Sequence, residues 1–65
     1  MTLEQLIATK PGDRLRGPQG WCGEIVDTTR KGVAVHWRHP KRNGNTMRMN
    51  FSHPEWKRVE LDDKL

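Results

Sequence analysis

Gly32-Val33-Ala34-Val35-His36-Trp37-Arg38 is the stretch that decides the fold class. Its apolar residues recur every second position, so successive side chains fall on opposite faces of an extended chain. Val33, Val35 and Trp37 make the inward face; Ala34, His36 and Arg38 make the outward one. Upstream, Gly23-Glu24-Ile25-Val26-Asp27-Thr28-Thr29 is a second β-branched run. Arg30-Lys31-Gly32 between them is short enough for a hairpin, with Gly32 free to adopt positive φ. Downstream, His39 to Asn45 reads as a polar, basic loop with a turn signal at Asn43-Gly44. Alternation then resumes in Thr46-Met47-Arg48-Met49-Asn50-Phe51, with Met47, Met49 and Phe51 inward and Thr46, Arg48 and Asn50 outward.

Further from this centre the signals are shorter. Thr2 and Gln5 have capping-box spacing, and Leu3, Leu6 and Ile7 form one apolar stripe, which predicts a short helix over 3–9. Pro11 and Gly12 stop it. Asp13 to Arg16 alternates briefly. Gly17-Pro18-Gln19-Gly20 is a loop that carries Trp21 and Cys22 on its far side. Pro54 can open one helical turn before a last strand from Lys57 to Leu61, and 62–65 reads as a frayed end. The expectation is a single all-β domain over 1–65. It consists of a short N-terminal helix and a five-stranded, closed or nearly closed barrel over 13–61, with one helical turn before the last strand.

Composition narrows the function classes. The chain has 65 residues, 32% of them hydrophobic, and a formal charge of +4. So short a chain sits near the lower limit for a self-sufficient core and argues against an enclosed substrate pocket. No apolar run approaches the ~20 residues of a membrane span, and MTLEQLIATK lacks the basic start and apolar stretch of a secretory signal. The single cysteine, Cys22, cannot form an internal disulfide, which points to a reducing, cytoplasmic setting. There are no internal repeats.

The order of these elements resembles a Src-homology-3-like small β-barrel. The resemblance rests on Pro11-Gly12-Asp13-Arg14-Leu15-Arg16, on Gly20-Trp21-Cys22-Gly23-Glu24-Ile25-Val26, and on Gly32 to Trp37. The segment Pro54-Glu55-Trp56-Lys57-Arg58-Val59-Glu60-Leu61 is similar to the single turn before the final strand of such barrels. KOW and Tudor-like modules, small photosynthetic-complex subunits and the plasmid-type dihydrofolate reductase share this layout. The reductase builds its site from a Val-Gln-Ile-Tyr motif on a late strand. Here that strand reads Thr46-Met47-Arg48-Met49-Asn50-Phe51, and the chain has no tyrosine. A Tudor-type methyl-lysine cage needs several converging aromatics, and one Phe with three Trp is a poor supply.

Charge is segregated along the chain. From Arg30 to Asn50 there are six basic residues (Arg30, Lys31, Arg38, Lys41, Arg42, Arg48) and no Asp or Glu. The rest holds six basic and eight acidic residues, a net of −2, so the whole excess belongs to this stretch. His36 and Arg38 share the outward face with Arg48, and Lys41 and Arg42 follow on the connecting loop. One contiguous basic patch is therefore expected. Lys and Arg neutralise phosphate and release counterions; Asn43 and its neighbours can add contacts to bases or sugars. Trp21 is a candidate for stacking on a base or anchoring a partner, or else for closing the barrel mouth.

Enzyme chemistry finds no motif. Cys22, His36, His39 and His53 supply metal-ligating atoms but lie on four elements without paired spacing, so no metal site or cofactor is expected. No nucleophile–base pair or carboxylate pair stands out. The reading is a non-enzymatic binding module that contacts nucleic acid, DNA ahead of RNA, mainly through phosphates. Arg30, Lys31, His36, Arg38, Lys41, Arg42, Asn43 and Arg48 would form its face, with Trp21 beside them. The alternative is a regulatory accessory subunit docking an acidic protein partner. A homo-oligomer is compatible with either, and a compact stand-alone module suits a phage or mobile-element accessory protein.

Overall fold

A computed structural model describes residues 1–62. Five antiparallel strands follow one short helix. The helix α1 spans Leu3–Ile7; the strands are β1 (Arg14–Arg16), β2 (Cys22–Thr28), β3 (Gly32–His39), β4 (Arg42–Asn50) and β5 (Glu60–Leu61). Short 3-10 turns occupy Pro18–Gly20 and Pro54–Arg58. The strands lie side by side in the order β4-β3-β2-β1-β5. Among the described residues β4 and β5 do not pair, so the sheet is curved around a core but not closed. Of the closed or nearly closed arrangement expected, the unclosed form is the one present. β5 is two residues long and pairs on one edge with β1.

The core follows from alternation and register. Leu15 lies opposite Gly23, Gly23 opposite Trp37, and Ile25 opposite Val35. Paired residues in an antiparallel ladder share a face, so these side chains meet on the inner side with Val33, Met49, Trp56 and Val59, all buried. The second 3-10 turn lays the Trp56 ring over this face, its indole Nε1 donating to the Asn50 carbonyl at 2.7 Å. Trp37 and Trp56 are thus core residues, as their positions in the sequence imply. No helix among the described residues is long and apolar enough to cross a membrane.

Several expectations are corrected. The capping box at Thr2 and Gln5 forms, with bonds of 3.0 and 3.2 Å. The helix nevertheless ends two residues early, because Thr9 donates through its hydroxyl to the Leu6 carbonyl at 2.6 Å. Of the apolar stripe only Leu6 is buried; Leu3 and Ile7 are 56% and 64% exposed. A five-residue helix meets the core at one position. Its second anchor is Met1, which packs on the core while its amine donates to the Trp56 and Val59 carbonyls at 2.8 and 2.7 Å.

The hairpins also differ in detail. Gly32 does not take positive φ. Thr29 organises that turn instead, through backbone and hydroxyl bonds to Gly32. Gly32 is required for a different reason: a Cβ there would stand 2.3 Å from the Met49 carbonyl oxygen. The Asn43-Gly44 turn does not exist either. Chain reversal occurs at Pro40-Lys41, with His39 opposite Arg42, and Asn43 to Asn45 are already strand. The pairing slips between Trp37 and His39, so Asn43 and Gly44 together face Arg38 in a bulge. Phe51 falls just outside β4 and is half-buried, and Met47, read as core, is 40% exposed because the missing β4–β5 pairing leaves it uncovered. Asp62 is held by its N–H to the Arg14 carbonyl at 3.0 Å rather than frayed. Residues 63–65 of the expected frayed end lie outside the described residues.

Candidate nucleic-acid interface

Register sorts the basic side chains. Arg38 lies opposite Cys22, which lies opposite Arg16; His36 lies opposite Glu24, which lies opposite Arg14; Arg48 lies opposite Ala34. Arg14, Arg16, His36, Arg38 and Arg48 therefore share the outer face with Cys22. The sequence-based patch omits Arg14 and Arg16, although their alternation around Leu15 already points them outward. That face is not uniformly positive. Glu24, Asp27 and Glu60 stand on it by the same register. Arg48 pairs with Asp27, and Arg16 with Asp62, each at 3.5 Å. His36 is half-buried and bonds Thr46 Oγ1 through Nδ1 at 2.9 Å.

The expected contiguous patch is thus divided. Arg30 and Lys31 sit at the β2–β3 turn. Lys41 sits at the β3–β4 turn, at the other end of the eight-residue β3. At ~3.3 Å per residue the two poles are about 25 Å apart. Arg48 belongs to the middle of the sheet beside its carboxylate. Arg38, Lys41, Arg42 and Asn43 are neighbours along the backbone at the β3–β4 pole, all exposed, with Arg38 on the outer face and Arg42 on the face of its partner His39. Among the described residues none of these cations forms an ion pair.

The first 3-10 turn is fastened to this pole. His39 Nδ1 accepts from the Lys41 backbone N–H at 3.0 Å, and Nε2 bonds the Gln19 carbonyl at 2.9 Å. A carbonyl oxygen only accepts, so Nε2 is the donor in the Gln19 contact while Nδ1 accepts from Lys41. The Trp21 ring lies against it, centroids 4.8 Å apart and planes inclined by 57°. Gln19 has φ 57°, the one non-glycine residue in the left-handed region among those described, and the His39 bond holds its carbonyl there. Trp21 is half-buried. It packs against the core and, on its other contact, against His39, whose ring accepts from the Lys41 N–H.

On the inner side a groove of about 390 Å³ runs along the unclosed seam, between the first 3-10 turn, β4 and the second 3-10 turn. Its apolar lining includes Trp21, Trp37, Met47, Met49 and Val59; Glu55 and Arg58 are its charged residues. Trp21 and Met47 stand 26 positions apart (47 less 21), and no local signal announces their proximity. No three His, Cys, Asp or Glu side chains among the described residues are grouped to hold a metal. His36 and His39 are bonded as above, His53 caps the second 3-10 turn by accepting from the Glu55 N–H at 3.1 Å, and Cys22 is exposed. Comparisons with protein-family models, curated proteins and solved structures return no match.

Proposed function

We propose that this chain is a non-enzymatic, cytoplasmic nucleic-acid-binding module of the Src-homology-3-like class, and that its contact surface is the β3–β4 pole. The observation that carries this reading is the grouping of exposed Arg38, Lys41 and Arg42, without a described carboxylate partner, beside the Trp21–His39 ring pair. The cations attract phosphate without first giving up an internal ion pair, unlike Arg16 and Arg48. Arg38 and Arg42 can hold phosphate oxygens bidentately. The half-buried Trp21 indole is the aromatic group here on which an unpaired base could stack, which favours single-stranded or distorted substrates. Asn43, in the bulge opposite Arg38, is placed to reach a sugar or base edge. The class assignment is supported by the strand order β4-β3-β2-β1-β5 with a 3-10 turn before the last strand.

The test is fluorescence anisotropy with single- and double-stranded DNA and RNA over a range of salt. Three phosphate contacts predict a log K against log salt slope of roughly 2–3 in magnitude. Arg38→Glu and Arg42→Glu should abolish binding, while Arg30→Glu and Lys31→Glu, at the far pole, should weaken it only slightly. Equal losses at both poles would show diffuse charge attraction instead of a site. No binding at low salt would sink the reading.

A further inference from the structure

The seam left open between β4 and β5 combines two unfilled features. The first is a strand edge. In the β3–β4 ladder the Phe51 N–H donates to the Lys31 carbonyl. With Val33 opposite Met49, Val35 opposite Met47 and Trp37 opposite Asn45, the odd-numbered residues of this half of β4 bond to β3. The backbone groups of Thr46, Arg48 and Asn50 therefore point away from the sheet. The Asn50 carbonyl is occupied by the Trp56 indole and the His53 N–H, which agrees with this phase. The N–H and C=O of Thr46 and of Arg48 have no strand to pair with among the described residues. The second feature is the groove directly inside that edge, floored by Trp37, Met47 and Met49.

We propose that this seam is a docking site for an extended peptide of a partner protein, added as a sixth strand along β4, with alternating apolar and acidic residues. Strand addition completes the four backbone bonds of Thr46 and Arg48. Every second side chain of the added strand then falls on the inner side. There it meets Met47 and the indoles, and because Arg58 and Glu55 balance within the lining, apolar residues fit best. The intervening side chains fall on the outer side beside Arg48, whose Asp27 contact at 3.5 Å is long and solvent-exposed on both members. β4 carries Arg42 and Arg48 and no carboxylate, so acidic residues complement it. A second copy of β4 is the weaker occupant: antiparallel self-pairing about Thr46 would collect the Arg42 and Arg48 of both copies along one seam with no β4 carboxylate to offset them. This surface adjoins the β3–β4 pole and shares Trp21 and Arg42 with it, but the open edge at Thr46 and Arg48 does not depend on the nucleic-acid reading.

The experiment is an amide-shift and hydrogen-exchange titration of the full chain with a synthetic octapeptide alternating valine and glutamate. The expected result is slowed exchange at the Thr46 and Arg48 amides, with shifts in the Trp37 and Trp21 indoles. Replacing glutamate by lysine in the peptide should weaken binding at least tenfold. N-methylation of alternate peptide nitrogens should abolish it. Met47→Glu should weaken it about tenfold while leaving the circular dichroism spectrum unchanged. Equal affinity for the lysine or N-methylated peptide would overturn the proposal. So would protection confined to the β3–β4 pole, concentration-dependent dimerisation through β4, displacement of the peptide by an oligonucleotide occupying the groove, or no binding at millimolar peptide.

Discussion

Replacing Gly44 by alanine probes the point at which the chain departs most sharply from its local signals. A Cβ on Gly44 would lie 2.4 Å from the Trp37 carbonyl oxygen and 3.5 Å from its carbonyl carbon. Real Cβ contacts essentially never fall under 3.0 Å, so the obstruction is 0.6 Å or more (3.0 less 2.4). The obstructing atom is backbone, and by the register it is the same oxygen that accepts from Asn45 in the ladder. It cannot swing aside as a side chain would. Forced overpacking costs about 1–3 kcal/mol, and loosening the ladder bond adds about 1 kcal/mol. The reduced freedom of the unfolded chain returns about 0.4–1 kcal/mol. The net loss is about 1–3 kcal/mol, or a fall in Tm of roughly 5–20 °C for a domain of this size. Thermal unfolding followed by far-ultraviolet circular dichroism measures it. Gly12→Ala is the control: Gly12 has φ +99°, and a Cβ added there would meet nothing within 4 Å. That variant should lose only about 1 kcal/mol, from backbone strain. Gly44→Asn separates the two origins of the requirement: asparagine tolerates a left-handed turn, but in a strand it clashes as alanine does. An unchanged or raised Tm for Gly44→Ala, or an asparagine variant as stable as glycine, would refute the close-approach account.

Leu6→Ala should cost about 2–4 kcal/mol by urea denaturation, while Leu3→Ser and Ile7→Ser stay within ~0.5 kcal/mol, because only Leu6 is buried. Trp56→Phe should lose about 1–2 kcal/mol in the same assay, as the indole bond to the Asn50 carbonyl disappears; Asn50→Ala, which keeps that backbone carbonyl, should change little. His39→Ala removes the bonds to Gln19 and Lys41 and the Trp21 ring contact, so amide exchange at Gln19 to Trp21 should accelerate at least tenfold while the core amides of β3 hold their protection. A double-mutant cycle on Arg48 and Asp27 should return no more than ~0.5 kcal/mol, because the pair is long and its side chains are 69% and 55% exposed.

The β character, the inward set Val33, Val35 and Trp37, the N-terminal capping box and the turn at Pro54 are all readable locally. Each depends on side-chain period or on a bond spanning a few residues. The candidate site is only half readable. Charge segregation singles out the stretch from Arg30 to Asn50, but Arg48 finds Asp27 across 21 positions of sequence, and Arg14 and Arg16 reach the same face through β1 pairing with β2. Alternation around Leu15 points Arg14 and Arg16 outward, but which strand they lie beside, like the Arg48–Asp27 contact, leaves no local trace. The Asn43-Gly44 signal misleads because glycine serves two purposes, freedom of φ and absence of a Cβ, and composition does not tell them apart.

A small all-β fold with its basic excess on the third and fourth strands is legible without coordinates, because alternation and charge are properties of neighbouring residues. Where that excess lies on the folded surface depends on strand pairing. Register sent Arg48 to a carboxylate, set Arg30 and Lys31 about 25 Å from Lys41 along β3, and left Arg38, Lys41 and Arg42 as backbone neighbours at the β3–β4 pole. It also left the β4 edge open above a groove. Pairing between strands distant in sequence is selected by the packing of the whole core, and no window of the chain contains that information.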